Sequence, residues 1–405
     1  GVFIGPGGTT LAQALEMCAF EAPNFPNRVC LKSKLDTEAY AAFGQINFDL
    51  GEIAGLSGVS LKLGGRYSRE KVSSANPSII MTANANPAAA TVLVTTEAAT
   101  FRQKTFKDST PEIGLSWAAN DDILLYYTYS EGFKAGSGEN AAGSTTIVRP
   151  EKMKNHEVGA KMQFLDRRVT VNIAGYHYKL DDLQINKTVG GGPAGFTTIF
   201  ENAAKTSATG VEMDFLIRPV DNFRFSGGVS YTDSKYDDFI TLDPLYAPNV
   251  AVPGQPAYNP ITNPDPTAFG APCLSGSLST NAPCNIQLAG NPTRNSPKWS
   301  YSFRTEFDIP LGDSGLITLS GDMYGKSDVY FTEFKRLQEG QASYTLFDAG
   351  IKWSNPDNSI YVQGYIKNIG DDLLKSSTFA ISTGRVIGVT YLPPRTYGVA
   401  VGLRF

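Results

Sequence analysis

Apolar and polar side chains alternate along one segment after another of this sequence. In the clearest series, Trp299, Phe303 and Ile309 are among the odd-numbered apolar positions, with Arg304 and Glu306 between them. Successive side chains of a β-strand point to opposite faces, so a period of two predicts strands with one apolar face and one charged face. A strand of this kind lies between two different solvents.

Thirteen such strands are predicted. They span residues 35–50, 58–72, 102–118, 122–134, 149–164, 168–186, 198–218, 222–236, 295–310, 316–331, 341–354, 359–370 and 395–405. Short turns alternate with long loops, which include residues 73–101, 135–149 and 237–294. Short turns on one side and long loops on the other are typical of transmembrane β-barrels.

The predicted fold class is therefore all-β, an antiparallel transmembrane β-barrel. Residues 35–405 are predicted to form the C-terminal portion of the barrel, with the three long loops outside the cell, and residues 1–34 are predicted to be an extracellular loop. Bacterial single-chain barrels have an even number of strands, so we expect further strands and an export signal upstream of Gly1.

The composition supports a sheet that faces a membrane. Charged residues make up 18 % of the chain, against about 25 % in a soluble domain. The 40 Gly, 19 Tyr and 23 Phe residues favour a sheet over helices. A formal charge of −4 indicates no basic surface for nucleic acid.

The four cysteines form two close pairs, Cys18 with Cys30 and Cys273 with Cys284, in polar stretches that contain proline. No histidine or carboxylate stands at metal-ligand spacing beside them. Two local disulfides in an oxidising compartment are predicted, with free thiols or a metal site as alternatives. Each disulfide would stabilise its loop by roughly 3 kcal/mol.

Enzyme motifs are absent from the sequence. His156 and His177 have no nucleophile nearby, and no Gly-x-Ser-x-Gly elbow occurs. A dinucleotide fingerprint that begins at Gly190 is interrupted by Pro193, and a strand follows it where a helix is needed. We predict no enzymatic activity, no cofactor and no metal site.

Several segments carry a family resemblance. They are DTEAYAAFGQ at 36–45, LGGRYSREK at 63–71, YTYSEGFKAG at 127–136, RPEK at 149–152, ENAA at 201–204 and KNIGD at 367–371. Together with the last twelve residues, they resemble the C-terminal half of TonB-dependent receptors. Their order and spacing cover most of residues 35–405.

The resemblance implies a barrel of about 22 strands around a plug domain, of which this chain holds the last thirteen strands. It implies an outer-membrane receptor of a Gram-negative bacterium that imports a ferric siderophore or similar scarce nutrient. The implied partners are TonB, the receptor's own plug domain, outer-membrane lipids including LPS, and a small-molecule ligand. A passive porin and a surface adhesin are the alternatives.

Charged residues on the polar parity of the strands are expected to face water, the plug or each other, because each basic one would cost about 2–4 kcal/mol against lipid. They form a hydrated wall or, alternatively, a ligand path. The set comprises Lys161, Glu212, Asp214, Arg304, Glu306, Asp322, Lys352 and Arg404.

Ligand contact is expected at the outer mouth. Tyr330, Phe331, Phe334 and Arg336 fall where a strand meets its outer loop, and Lys134 is a weaker candidate. Aromatic rings there could stack on a ligand while the arginine supplies charge, or the rings could belong to the aromatic girdle of the barrel.

The end of the chain has its own pattern. Tyr397, Val399, Val401, Leu403 and Phe405 alternate with small and polar residues. By resemblance, the terminal Phe405 is the signal that the outer-membrane assembly machinery recognises. The alternative is an aromatic residue at the membrane interface.

Overall fold

The computed structural model describes residues 28–31, 34–76, 78–83, 92–96, 100–138, 147–190, 196–242, 285–381 and 386–404. These ranges are almost entirely β-structure, with one short α-helix, α1 (Leu50–Ala54), and two single-turn 3₁₀ helices, Gly312–Ser314 and Leu337–Glu339. No helix in them combines the length and apolarity needed to cross a membrane. The strands are β1 (Arg28–Leu31), β2 (Lys34–Asp49), β3 (Val59–Asn76), β4 (Ser78–Ala83), β5 (Val92–Thr96), β6 (Thr100–Asn120), β7 (Ile123–Lys134), β8 (Glu151–Phe164), β9 (Val169–Gly190), β10 (Phe196–Ile217), β11 (Phe223–Leu242), β12 (Asn285–Gln287), β13 (Trp299–Pro310), β14 (Leu316–Lys326), β15 (Val329–Tyr330), β16 (Gly340–Gln341), β17 (Tyr344–Ser354), β18 (Ile360–Lys367), β19 (Lys375–Ile381), β20 (Val386–Tyr391) and β21 (Thr396–Leu403).

Within the described residues, thirteen long strands form one antiparallel sheet. Its order, β2-β3-β6-β7-β8-β9-β10-β11-β13-β14-β17-β18-β21, follows the chain, so each strand pairs with the next one. β12 adds to the far end of β11. Each predicted strand corresponds to one of these thirteen, and the all-β prediction is confirmed.

The two faces of the sheet differ in polarity. On the apolar face, Val158 is 60 % exposed, Val211 45 % and Trp299 50 %. Soluble monomers rarely expose apolar patches of more than a few hundred Å², so this face requires an apolar solvent. The alternate residues, among them Arg304 and Glu306, lie on the opposite, polar face, where they pair with each other. The series from Trp299 to Ile309 thus lines a membrane-facing surface, as its period predicted.

The sheet has a short-turn end and a long-loop end. Turns at 50–58, 121–122, 165–168, 218–222, 311–315 and 355–359 join the strands at the short-turn end. Gly58 has a φ of 73°, and a Cβ there would lie 2.4 Å from the Ala118 carbonyl oxygen, so this tight turn requires glycine.

The long-loop end contains more β-structure than the sequence predicts. β4 and β5 form a hairpin inside the predicted 73–101 loop, and β11 and β12 extend into the predicted 237–294 loop. The predicted 316–331 strand stops at Lys326, and β15 then pairs with β16. The β19–β20 hairpin was not predicted. Beyond the membrane both faces of a strand meet polar surroundings, so the period of two is lost.

Four predicted residues cannot be placed. Cys18, Cys273, Cys284 and Phe405 lie outside the described residues, and only the backbone of Cys30 is described, opposite Ile79 in the β1–β4 pair. The two disulfides and the terminal assembly signal stay predictions.

Candidate functional site

Two arginines and three carboxylates form a polar network near the short-turn end of the polar face. Arg224 lies 3.0 Å from Glu306 (Nε to Oε2) and 2.9 Å from Asp308 (Nη1 to Oδ2). Arg304 lies 3.0 Å from Asp322 (Nη1 to Oδ1) and also pairs with Glu306. The sheet register directly opposes Arg224 to Glu306 and Arg304 to Asp322. The alternation thus places both charge signs side by side, where they compensate each other.

Tyrosines on the polar face lie over glycines of the neighbouring strand. Tyr126 opposes Gly159, and Tyr176 opposes Gly210. A Cβ on either glycine would come within 2.5 Å of the tyrosine ring. The Tyr176 hydroxyl hydrogen-bonds to Thr232 at 2.8 Å. Because glycine has no side chain, each tyrosine ring can lie flat against the polar face of the sheet.

An indentation of about 540 Å³ opens on the polar face between the polar network and the long-loop end. Glu212 and Asp214 line one side of it, Tyr324 and Lys326 line the other, and Ser230 lies between them. Volumes of roughly 300–1,000 Å³ are typical of small-molecule sites. The small residues in the middle create the space, and opposite charges face each other across it.

The loop 327–343 packs with the far ends of β9–β12 and with the β19–β20 hairpin to form a unit that we call the outer cap. Phe239, at its centre, is fully buried. The cap therefore has a hydrophobic core of its own above the sheet. The core residues are Ala204, Tyr236, Phe239, Leu288 and Phe334, against which Leu183 and Ile185 pack.

A buried ion pair holds the loop of the outer cap. Arg336 is 2 % exposed and Glu339 is fully buried, and they meet at 2.7 Å (Nη1 to Oε2). The guanidinium lies 4.5 Å from the centre of the Phe334 ring, and Thr332 donates to Glu339 at 3.1 Å. Burial lowers the pKa of Arg336, and the Glu339 carboxylate opposes that shift. Any movement of the loop that separated Arg336 from Glu339 would leave an unpaired charge in the protein interior, which costs free energy. The ion pair therefore holds the loop in this conformation.

A second cavity, of about 310 Å³, lies between this loop and the β19–β20 hairpin. Asp328, Tyr330, Gln341 and Lys375 line it. The Lys375 ammonium donates to the carbonyl oxygens of Gln338 at 3.1 Å and Gly340 at 3.0 Å. It therefore ties the hairpin to the loop.

The predicted ligand-contact residues do not share one surface. Tyr330 lines the smaller cavity, but Phe334 and Arg336 are buried inside the cap, where they stabilise it. Phe331 is partly buried, and its backbone N–H donates to the backbone carbonyl oxygen of Glu339 at 2.9 Å. Lys134 pairs with Glu151 at 3.0 Å. The structure thus assigns Phe334 and Arg336 to the core of the cap and leaves Tyr330 at a cavity, and ligand contact by these residues stays a prediction.

Sequence reasoning missed other lining residues. Tyr324 and Lys326 follow Asp322 at intervals of two, so the alternation of β14 already assigns them to the polar face. Lys375 stands in a segment without periodicity, and only the folded hairpin brings it to the cavity.

One face of the sheet is apolar and requires lipid, and the other face carries charge. Short turns join the strands at one end and long loops join them at the other. These features together define a membrane-spanning β-barrel protein. The TonB dependent receptor-like, beta-barrel family model matches residues 18–369. The chain belongs to this family, whose members are outer-membrane transport proteins of Gram-negative bacteria rather than enzymes.

Curated relatives match part of the chain. The metal-pseudopaline receptor CntO of Pseudomonas aeruginosa is 26 % identical over 136 residues, which are 34 % of this chain and 18 % of the relative. The ferric-pyoverdine 358 receptor of Pseudomonas putida is 28 % identical over 137 residues, 33 % of this chain and 16 % of the relative.

Solved structures share the fold. The ferric yersiniabactin uptake receptor FyuA from Yersinia pestis has a TM-score of 0.67 at 15 % identity, over 93 % of this chain and 47 % of that structure's chain. The siderophore receptor PiuA from Acinetobacter baumannii has a TM-score of 0.59 at 18 % identity, over 92 % and 43 %. The chain spans less than half the length of these proteins.

Proposed function

We propose that the chain is the barrel portion of a receptor that imports a scarce nutrient, a ferric siderophore or a similar metal chelate, with energy supplied through TonB. Its partners would be TonB, the receptor's own plug domain and the ligand. Both curated relatives are named as receptors for metal-bound or ferric chelates, which supports this ligand class.

The observation that supports the proposal is that a charged indentation on the polar face lies below an outer cap that has its own hydrophobic core. Lys326 and Tyr324 offer donors, and Glu212 and Asp214 offer acceptors, on the path below the cap. A polar chelate could hydrogen-bond to both sides of the indentation. The polar network nearer the short-turn end would contact a plug domain.

The outer cap favours a receptor over a porin. A passive pore needs an open mouth, whereas selective binding needs walls held in one geometry. The hydrophobic core of the cap and the buried Arg336–Glu339 pair supply such rigidity. Ligand contact by Tyr330 at the smaller cavity belongs to this proposal.

Uptake of ⁵⁵Fe-loaded siderophores by iron-starved cells tests the proposal. We expect a panel of siderophores to reveal one whose uptake is lost when the gene or tonB is deleted. Lys326→Ala should weaken that uptake, whereas Lys161→Ala, a matched charge loss elsewhere on the polar face, should not. Uptake that persists without TonB would contradict the energised mechanism.

Swelling of liposomes that contain the full-length protein tests the porin alternative. A receptor closed by its plug should admit small sugars slowly. Rapid swelling by the intact protein would favour the passive pore.

A further inference from the structure

The two histidines of the chain form a cross-strand pair. His156 on β8 and His177 on β9 are far apart in the sequence, and the strand register puts them directly opposite each other. Both side chains are exposed, on the face of the sheet that also carries Val158. The Cβ atoms of directly opposed residues lie about 4.5–5.5 Å apart, so the two imidazole rings are neighbours.

Hydrogen bonds hold the two rings from opposite sides. The Nδ1 atom of His156 bonds to the Tyr127 hydroxyl on β7 at 2.8 Å, and the Nδ1 atom of His177 bonds to the Thr209 hydroxyl on β10 at 2.8 Å. Since β8 and β9 lie between β7 and β10, the two Nδ1 atoms point away from each other. The two nitrogens of an imidazole point to nearly opposite sides of the ring, so the Nε2 atoms lie on the sides that face each other.

Histidines that bind metal ions are held in this way. A histidine that binds a metal through one ring nitrogen usually donates the N–H of the other nitrogen to an oxygen atom, which fixes the tautomer and the orientation of the ring. The hydroxyl oxygens of Tyr127 and Thr209 can accept such bonds, which leaves a lone pair on each Nε2 atom. Two nitrogens bound to one ion at about 2.0–2.1 Å must approach closely, and directly opposed side chains permit this.

The histidine pair lies near the upper edge of the apolar face. Phe164, on the same face, ends β8 at the short-turn end. At about 3.3 Å per residue and a tilt of about 40°, His156 lies about 20 Å above it, in an apolar band about 25 Å tall. Lys154 and Lys179, which oppose each other, are the next exposed residues of this face toward the long-loop end. Ions from the external solution therefore reach the pair.

The charges that border the histidine pair balance each other. Lys154 is opposite Glu131, and Lys179 is followed on the same face by Asp181. Lys152, the next lysine of β8, is engaged in an ion pair of its own. Equal numbers of ammonium and carboxylate groups thus remain beside the pair, and their net charge does not repel a cation.

We propose that His156 and His177 bind one divalent cation of the class of Zn²⁺, Ni²⁺ and Cu²⁺ through their Nε2 atoms, at a site that the sequence alone did not predict. Neutral imidazole suits these ions, whereas Ca²⁺ and Mg²⁺ prefer oxygen ligands. Within the described residues, no group of three or more His, Cys, Asp and Glu side chains could hold a metal ion, so water completes the coordination. The bound ion links β8 to β9. This inference rests on the strand register and is independent of the proposed transport.

Pulsed EPR of Cu²⁺ bound to the full-length receptor tests the inference, because it counts the imidazole rings on the ion. The receptor is purified without a histidine tag, in an uncharged detergent. We expect two rings in the wild type and at most one in His156→Gln or His177→Gln. Loss of a hydrogen-bond partner of a ligand alone weakens metal binding about 10–100-fold, so loss of either histidine should weaken Zn²⁺ binding at least ten-fold.

Two neighbouring tyrosines provide a matched pair of variants. Tyr127→Phe removes the oxygen that orients His156 and should weaken Zn²⁺ binding about ten-fold. Tyr126→Phe removes a hydroxyl on the polar face, where it bonds to Glu157, and should leave Zn²⁺ binding unchanged.

A measurement on the wild type covers the case in which a histidine variant fails to fold, which migration of the unheated protein in a gel reports. Diethyl pyrocarbonate modifies accessible imidazole nitrogens, and mass spectrometry locates the modified residues. We expect Zn²⁺ to protect both His156 and His177.

Three results would overturn the inference. Two imidazole rings on Cu²⁺ in both histidine variants would mean that the ion binds elsewhere in the receptor. A single ring in the wild type would mean that the two histidines do not act together. Equal modification of both histidines with and without Zn²⁺ would mean that neither ring holds the ion.

Discussion

At the residue scale, the wall of this protein depends on pairs of a large aromatic side chain with a glycine. Tyr176 and Gly210 are a cross-strand pair, and the ring occupies the space that a side chain on the glycine would take. Neither residue predicts this packing by itself, because the strand register places them opposite each other.

Gly210→Ala should destabilise the barrel by about 1–3 kcal/mol, the usual cost of overpacking. The added Cβ would lie 2.5 Å from the Tyr176 ring and 2.6 Å from the Tyr231 carbonyl oxygen, and the carbonyl oxygen cannot move without the strand. Gly321→Ala is the control, since nothing lies within 4 Å of its added Cβ. Urea unfolding of both variants in lipid vesicles measures the difference. Equal stability would show that the ring swings aside at no cost.

At the scale of elements, the outer cap shows that segments beyond the sheet pack around a hydrophobic core of their own. Phe334, Tyr236 and Leu288 come from three separate segments and meet in one core. Glu333, next to Phe334 in the chain, is partly buried, and this burial raises the pKa of its carboxyl above the ordinary value of 4.5. The Arg294 guanidinium opposes that shift, and Glu339 adds to it.

The raised pKa makes the stability of the cap depend on pH. The folded cap binds the Glu333 proton more tightly than the unfolded chain does, so this contribution is fully present below pH 4.5 and is lost as the pH rises through the raised folded value. Glu333→Gln should remove the dependence and stabilise the cap at neutral pH. Hydrogen-exchange protection of residues 327–343, corrected for the intrinsic rate at each pH, measures this.

The control for this experiment is Asp313→Asn, an exposed carboxylate at the short-turn end, which should keep the wild-type dependence. A Glu333→Gln cap that still loses protection as the pH rises would assign the effect to another group.

At the scale of the whole molecule, one sheet separates lipid from a polar interior. Val211 and Glu212 are neighbours in β10, but they face opposite solvents. Val211 lies six residues from the short-turn end of the strand at Ile217, or about 15 Å into an apolar band about 25 Å tall.

Val211→Lys should therefore impair assembly, because a lysine near the membrane midplane costs about 2–4 kcal/mol. Glu212→Lys, one residue away on the polar face, should assemble close to normally. The fraction of folded protein after insertion into lipid vesicles checks both variants. Equal yields would mean that the apolar face does not meet lipid.

The sequence by itself determined the all-β class, the thirteen strands, and the face to which residues such as Trp299, Arg304 and Glu306 belong. The reason is local: in a strand, the face of each side chain depends only on its position in the alternation. The family resemblance also needed only the order of short segments.

Only the tertiary structure decided which side chains meet. Arg224 and Glu306 are far apart in the sequence, and the strand register brings them together. Lys375 and Gly340 are also far apart, and the folding of the loops brings them together. For the same reason, Arg336 could be predicted as a charged residue near the mouth but not as half of a buried pair. Contacts between distant segments depend on the register of neighbouring strands and on how the loops pack over them. The alternation of apolar and polar residues within one strand specifies neither.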